Sequence, residues 1–160
     1  MTQIAKSKLM NSIDFGDVSF INYAFSDMEI TKCKFSSMND ATITNCVITS
    51  CDFTDTKMRS IRITNCTFRD CIFNRSDMEN AMIHNVNFEN CTFKMVFFER
   101  STFNNVKFNK CTLHLCFMFF CIFSDVKMIE STIKRCTIDE KEFETLSLPQ
   151  CIIIHVIHSV

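Results

Sequence analysis

From Ser36 onward every fifth residue is large and apolar, a period that neither an α-helix nor an ordinary strand produces. The series opens Met38, Ile43, Ile48, Phe53, Met58, Ile63, Phe68, Phe73 and keeps its phase to Leu148 and Ile153. Two residues before each of these stands a compact one, among them Ala41, Cys46, Cys51, Thr56, Cys66 and Cys71. The other three positions are mostly Asn, Thr, Ser, Asp, Lys, Arg and Glu. Two inward residues separated by an outward one make a short strand, and repeating that unit in every block of five requires a corner after each strand. Four such corners close a square coil, so each block lies over the one four blocks before it. A second periodicity supports the four-block coil: Ile43-Thr-Asn-Cys46 recurs as Ile63-Thr-Asn-Cys66, and Val86-Asn-Phe-Glu-Asn-Cys-Thr-Phe93 is echoed by Val106-Lys-Phe-Asn-Lys-Cys-Thr-Leu113.

Blocks such as Cys51-Asp-Phe-Thr-Asp55, Ser76-Asp-Met-Glu-Asn80 and Cys91-Thr-Phe-Lys-Met95 resemble the pentapeptide-repeat family, whose pattern is small, polar, Leu or Phe, polar, polar. The resemblance spans roughly residues 13–153. It implies an all-β fold, the right-handed quadrilateral β-helix, here of about seven coils and, at ~4.8 Å per coil, roughly 34 Å tall. This chain uses Phe, Met and Ile where the family favours Leu, and Cys where it favours Ala, an exchange of volume between neighbouring core positions.

Before Ser36 the phase differs. Val18-Ser-Phe20, Tyr23-Ala-Phe25, Met28-Glu-Ile30 and Cys33-Lys-Phe35 each give a compact residue, a polar one and a large one, and Met38 follows Phe35 by only three. A single phase through Ser26-Asp-Met28 would expose Phe25, Ile30 and Phe35 together, so a phase slip at 36–37 is the better reading. The chain then divides into a cap over 1–12 (Ile4, Leu9 and Met10 folding on the first coil), a β-helix over 13–148, and a C-terminal strand or cap over 149–160. Asp139-Glu-Lys-Glu142 reads as the start of a short helix with Asp139 as N-cap. The same span also fits another coil, since Phe143 and Leu148 keep phase, and the choice over 140–147 stays open.

With 17 Lys plus Arg against 18 Asp plus Glu, the chain has no global attraction for nucleic acid or anionic membrane. Residues 1–12 lack the apolar core of a signal peptide, and Leu115–Phe123 is too short to span a membrane. The expectation is a cytoplasmic protein with no membrane contact. All 11 cysteines fall at the small inward position, with Cys51, Cys71, Cys91 and Cys111 in one ladder and Cys46 and Cys66 in another. Parallel thiols do not converge on a tetrahedral metal, and no CxxC pair exists. Stacked side chains fit disulfide torsions poorly. Cysteine is therefore read as a small buried hydrophobe, reduced as in the cytoplasm. His84, His114, His155 and His158 take outward or terminal places with no nucleophile beside them. No phosphate loop, HExxH or nucleophile elbow is present. No enzyme, metal or cofactor is expected. Asn45, Asn65, Asn85 and Asn105 share one corner, followed by Asp125, where Asn tolerates the turn and can bond from coil to coil.

Fourteen of the 18 Phe are central and inward; Phe97, Phe117, Phe119 and Phe120 are not. With Met95 and Leu115 at the adjoining corner they form a candidate partner-binding patch. Cys151, Ile152, Ile153, Ile154, Val156 and Ile157 form an apolar β-branched segment at an open end, the candidate surface for a homodimer. The expected function is a non-catalytic scaffold acting through protein–protein contact. Some pentapeptide-repeat proteins act on DNA gyrase, and the resemblance implies the alternative of a rod imitating the shape and charge of DNA. Asp40, Asp77, Glu79 and Glu99 supply part of an acidic face, but Lys57, Arg59 and Arg100 interrupt it. Lys107, Lys110 and Lys127 are too few, and too closely balanced by Glu89 and Glu130, to bind nucleic acid themselves.

Overall fold

The computed structural model describes residues 8–159. Its regular structure is almost all short parallel strands stacked in register, coil on coil. The long strands Arg62–Arg69, Met82–Glu89, Thr102–Asn109 and Ile122–Ile129 pair in that order, each displaced along the chain from its neighbour by one four-block coil. About seven coils result, each with four faces. Face I is centred on Phe25, Ile43, Ile63, Ile83, Phe103 and Phe123; face II on Ile30, Ile48, Phe68, Phe88, Phe108 and Met128. Face III runs Phe35, Phe53, Phe73, Phe93, Leu113 and Ile133; face IV runs Met38, Met58, Met78, Phe98, Met118 and Ile138. Every one of these side chains is buried. The connections follow the right-handed sense usual for parallel strands.

Register dictates the core packing. Phe35, Phe53, Phe73 and Phe93 stack with ring centroids 5.2, 4.8 and 4.8 Å apart and planes within 7°. That separation is the strand spacing itself. Phe68, Phe88 and Phe108 repeat it on face II at 5.1 and 5.0 Å, and the two stacks meet edge to face, as Phe88 and Phe93 do at 5.3 Å. Such aromatic pairs contribute about 0.5–1.5 kcal/mol each beyond their area.

The corners use the left-handed backbone region without glycine. Every fifth residue from Asp40 to Arg135 has φ between 48° and 59°. Corner N–H groups then reach a carbonyl in the coil above, Ser60 to Glu79, Asn80 to Glu99 and Arg100 to Phe119, each at 2.9 Å. The pairing offset is 18 only where residues 19–34 meet the coil above: Ser19 with Ser37, Ala24 with Thr42, Lys34 with Asp52. Lys8 pairs with Met28, and Ser37 with Lys57, at the full offset again. The shortening lies between Phe35 and Met38, both buried, where Ser36 and Ser37 cut a corner short.

Both ends differ from expectation. Lys8–Asn11 is a first rung paired with Met28–Thr31, not a lid, because Met10 takes the central place on face II below Ile30 and packs on the core while Leu9 faces solvent. Ile4 lies outside the described residues. The expected single C-terminal strand is two, Ile152–Ile154 on face III and Ile157–Ser159 on face IV, because a left-handed corner at His155 (φ 47°) keeps the coil turning. Val160 lies outside the described residues.

A short helix, Glu140–Glu144, replaces the strand that would cover face I. Asp139 is its N-cap residue but makes no side-chain cap bond. Its carboxylate instead accepts the Phe120 N–H at 2.7 Å, and Glu142 accepts the Phe123 N–H at 3.1 Å. These two side chains occupy the acceptor places that backbone carbonyls hold in lower coils. Among the described residues no helix is long and apolar enough to cross a membrane.

Candidate interaction surface

Face IV changes character with height. In the lower coils Arg59 pairs with both Asp77 and Glu79, and Arg75 grips Asp55 with two bonds of 2.7 and 2.6 Å. One coil higher the outward rung becomes aromatic: Asp77, Phe97 and Phe117 are successive partners on the ladder. Phe97 and Phe117 stack at 5.0 Å with planes 8° apart. Phe97 is 38% exposed and Phe117 half-buried.

Apolar residues flank this panel at both corners. Met95 and Leu115 sit at the III/IV corner with φ of 58° and 57°. Phe119 and Phe120 sit at the IV/I corner, where Phe120 is left-handed (φ 56°), 69% exposed and 6.0 Å from the Arg100 guanidinium. Bulky side chains are strained in that region, at a cost of order 1–3 kcal/mol each. All six residues expected in the patch therefore converge on one side, with Ile122 and Met82 exposed around the next corner.

A cationic strip borders the patch. Lys94, His114 and Lys134 are consecutive rungs of the face III ladder, with Arg135 beside them. Burial, then the charges of Lys134, Lys94 and Arg135, push His114 below its ordinary value, and its Nε2 has no hydrogen-bond partner among the described residues. Lys94, Lys134 and Arg135 form no ion pair among the described residues, unlike Lys110 with Glu130 and Lys127 with Asp125, each at 3.7 Å. The one-coil spacing of Lys94, His114 and Lys134 is present in the sequence, but that the lysines lack ion-pair partners among the described residues is not.

The expected self-association residues form the upper end of the rod. Ile152, Ile153 and Ile157 are exposed, and Cys151, Ile154 and Val156 half-buried or packed against the core. Ile153 has the central place of face III but no coil above it among the described residues.

Ten of the 11 cysteines are buried and Cys151 is half-buried, all free thiols. They are more than filler. The Cys111 thiol donates to the Phe88 carbonyl at 3.4 Å, and Cys91 to Phe68 at 3.5 Å. Ser131 takes the same place in the Cys111 ladder, accepting the Cys111 N–H at 3.0 Å and donating to Phe108. The small inward residue thus satisfies corner groups of the coil below, which Ala does not do. Burial pushes the Cys116 thiol up and that of Cys121 up to about 12. No group of His, Cys, Asp or Glu among the described residues is arranged to hold a metal.

A further shaped feature is a shallow groove of about 290 Å³ along the I/II corner, lined by Asn65, Asn85, Asn105, Asn87 and Lys107. Its corner amides already bond one another, Asn65 to Asn45 at 3.2 Å, Asn85 to Asn65 at 2.7 Å and Asn105 to Asn85 at 3.0 Å. The ladder ends on Asp27, which accepts from Asn45 at 3.0 Å.

A square solenoid of five-residue sides, with its core fixed and its variation confined to outward and corner places, defines a repeat scaffold. Residues 41–118 match the family model described as a pentapeptide repeat region, and the chain has the pentapeptide-repeat fold. It is similar to QnrB1, a plasmid-mediated fluoroquinolone resistance protein (12% identity, 92% of this chain and 92% of that one, TM-score 0.35). It is also similar to HetL, involved in heterocyst differentiation regulation in the cyanobacterium Nostoc sp. strain PCC 7120 (9% identity, 96% and 90%, TM-score 0.42). A third is Rfr23 from the cyanobacterium Cyanothece 51142 (8% identity, 82% and 91%, TM-score 0.24). None of the curated proteins matches the sequence. At these identities no activity passes from one protein to another.

Proposed function

We propose that this protein is a non-catalytic, cytoplasmic scaffold that works by protein–protein contact, using its lateral patch for a partner and its C-terminal end for a homodimer. The observation that carries the reading is the panel of Phe97 and Phe117 on an otherwise polar outward ladder, framed by Met95, Leu115 and Phe120 in a backbone region that disfavours them. Strained apolar corners that stay partly exposed are expected where a second molecule completes the contact. At the upper end, exposed Ile152, Ile153 and Ile157 leave apolar surface and a strand edge that a two-fold copy can close. Deleting residues 151–160 is expected to turn a dimer into a monomer in light scattering, while Phe117→Ser with Phe120→Ser leaves it dimeric. The opposite result moves self-association to the patch, and a monomeric wild type removes the dimer altogether.

The rival reading, a DNA mimic directed at gyrase, needs an acidic face that stays acidic. Arg59 pairs with Asp77 and Glu79, and the apolar panel ends the stripe above them, which counts against it. No effect in a supercoiling assay at micromolar protein is the expected outcome; clear inhibition or protection of gyrase overturns the preference.

A further inference from the structure

We infer that the lateral patch receives an acidic amphipathic helix of a partner protein, laid along the rod axis with its apolar side on Phe97 and Phe117 and its carboxylates against Lys94, Lys134 and Arg135. This rests on the reading of the patch as a protein-docking surface and gives that partner its chemistry. Three observations select it. First, the lateral backbone is spent: the Phe97 N–H bonds Ser76, the Phe117 N–H bonds Val96, and the Phe98 N–H bonds the Phe117 carbonyl. These rungs offer no free strand edge, so an extended peptide cannot add by backbone pairing and the partner must satisfy its own backbone, as a helix does. Second, the apolar anchors repeat at the 5.0 Å separation of the two rings, close to the ~5.4 Å pitch of a helix, so one apolar side chain per turn meets one rung per coil. Third, the two borders differ in charge. The III/IV border carries Lys94, Lys134 and Arg135 with no ion pair among the described residues, whereas the IV/I border carries Glu99 and Asp139 together with Arg100, which lies against Phe120. Three cations on one border and a mixed, net-acidic pair of carboxylates with Arg100 on the other draw a partner's carboxylates to the III/IV side, which fixes how the helix is turned about its axis. Duplex nucleic acid fits less well, since its row of phosphates has no use for a stacked aromatic panel with Met95 and Leu115 at its margin.

The test uses the full chain and fluorescence anisotropy with three labelled peptides of ~15 residues, about four helical turns. One has Leu and Phe on one side with Glu beside them, one has the Glu exchanged for Lys, and one keeps the Glu but has Ser for the apolar anchors. Duplex DNA and anionic vesicles serve as competitors. The first peptide is expected to bind at micromolar concentration, at least ~10-fold tighter than either control, and to weaken as salt rises. Lys94→Glu with Lys134→Glu should lose at least ~10-fold for the Glu peptide and recover binding of the Lys peptide; thermal melting verifies that each variant is folded. If charge reversal leaves affinity unchanged while Phe97→Ser with Phe117→Ser abolishes it, the acidic assignment falls and the docking surface stands. If the Phe variant binds normally, the docking surface itself falls. Absence of binding by all three peptides overturns the inference, and displacement by DNA or vesicles at lower concentration than by unlabelled peptide reassigns the strip to that partner.

Discussion

Two corners of the same coil share one backbone and differ in everything else. At the I/II corner Asn45, Asn65, Asn85 and Asn105 hold φ of 51–55°, and each amide bonds the next. At the III/IV corner the same geometry is imposed on Arg75, Met95, Leu115 and Arg135. The first corner uses residues that tolerate left-handed backbone and returns a hydrogen bond for each. The second joins Arg75 to Asp55 below it, then accepts strain in a methionine and a leucine that return no such bond. Strands run through the first corner, as in Met82–Glu89, and stop before the second, as in Thr92–Lys94. A repeat protein has many chances to choose a comfortable residue at each corner, so departures from local preference mark where something other than the fold sets the choice.

The largest effects should be blind to this difference, because both corners stand on one core. Phe88→Ala on face II and Phe93→Ala on face III should each cost ~3–5 kcal/mol in urea unfolding. A cost below about 1 kcal/mol for Phe93 would mean that the III/IV side is loosely packed, and that the two corners differ in support as well as chemistry. Next come the corners themselves. Asn85→Leu should cost about 1–2 kcal/mol through two lost amide bonds and a worse corner residue. Leu115→Asn should do the reverse, raising Tm by ~2–4 °C for a gain of about 1 kcal/mol while weakening peptide binding. A destabilised Leu115→Asn would show that the leucine packs for the fold's sake.

A third corner tests the thiols. Cys121, next in the chain after Phe120, bonds the Phe98 carbonyl at 3.0 Å and is pushed from an ordinary 9.0 up to about 12 by burial. The folded state therefore keeps the proton where the unfolded chain has lost it. Its contribution to stability is complete below pH 9 and falls as pH rises from 9 to about 12. Between about pH 8 and pH 10 the wild type should lose ~1 kcal/mol more than Cys121→Ser. In the same protein at neutral pH, thiol titration should detect Cys151 alone when native and all 11 cysteines in denaturant. The smallest effect is at the surface, where Thr92→Ala, one residue from Phe93, should stay within about 0.5 kcal/mol.

Most of the fold was legible because one period carries it: central apolar and small inward residues name the core directly, and the short step from Phe35 to Met38 locates the shortened corner. The Asn corner was readable because a single residue type recurs once per coil. The patch was readable as Phe in places where Phe does not belong. The helix at Glu140–Glu144 was undecidable because Phe143 and Leu148 keep the coil's phase whether or not a strand forms. The reason for the helix lies in Asp139 and Glu142 reaching two N–H groups of the coil below, a relation that only three dimensions express. The cationic strip has the same one-coil spacing as the Asn corner, but its mixed Lys and His are less conspicuous than one repeated residue, and its lack of ion pairs among the described residues shows only in three dimensions.

The helix also decides how a rod of this kind grows. By taking the acceptor places above Phe120 and Phe123 with side chains, it ends the ladder on face I while the other three faces continue past it. A further coil added beyond it would find no strand to pair with on that side and a ~10 Å wide obstacle in its path. Whole four-block turns can be duplicated or deleted below residue 139 without disturbing the helix, and the near-copies at 43–46 and 63–66 are spaced by one such turn. A rod changed in this way lengthens from within, with its helix carried upward each time.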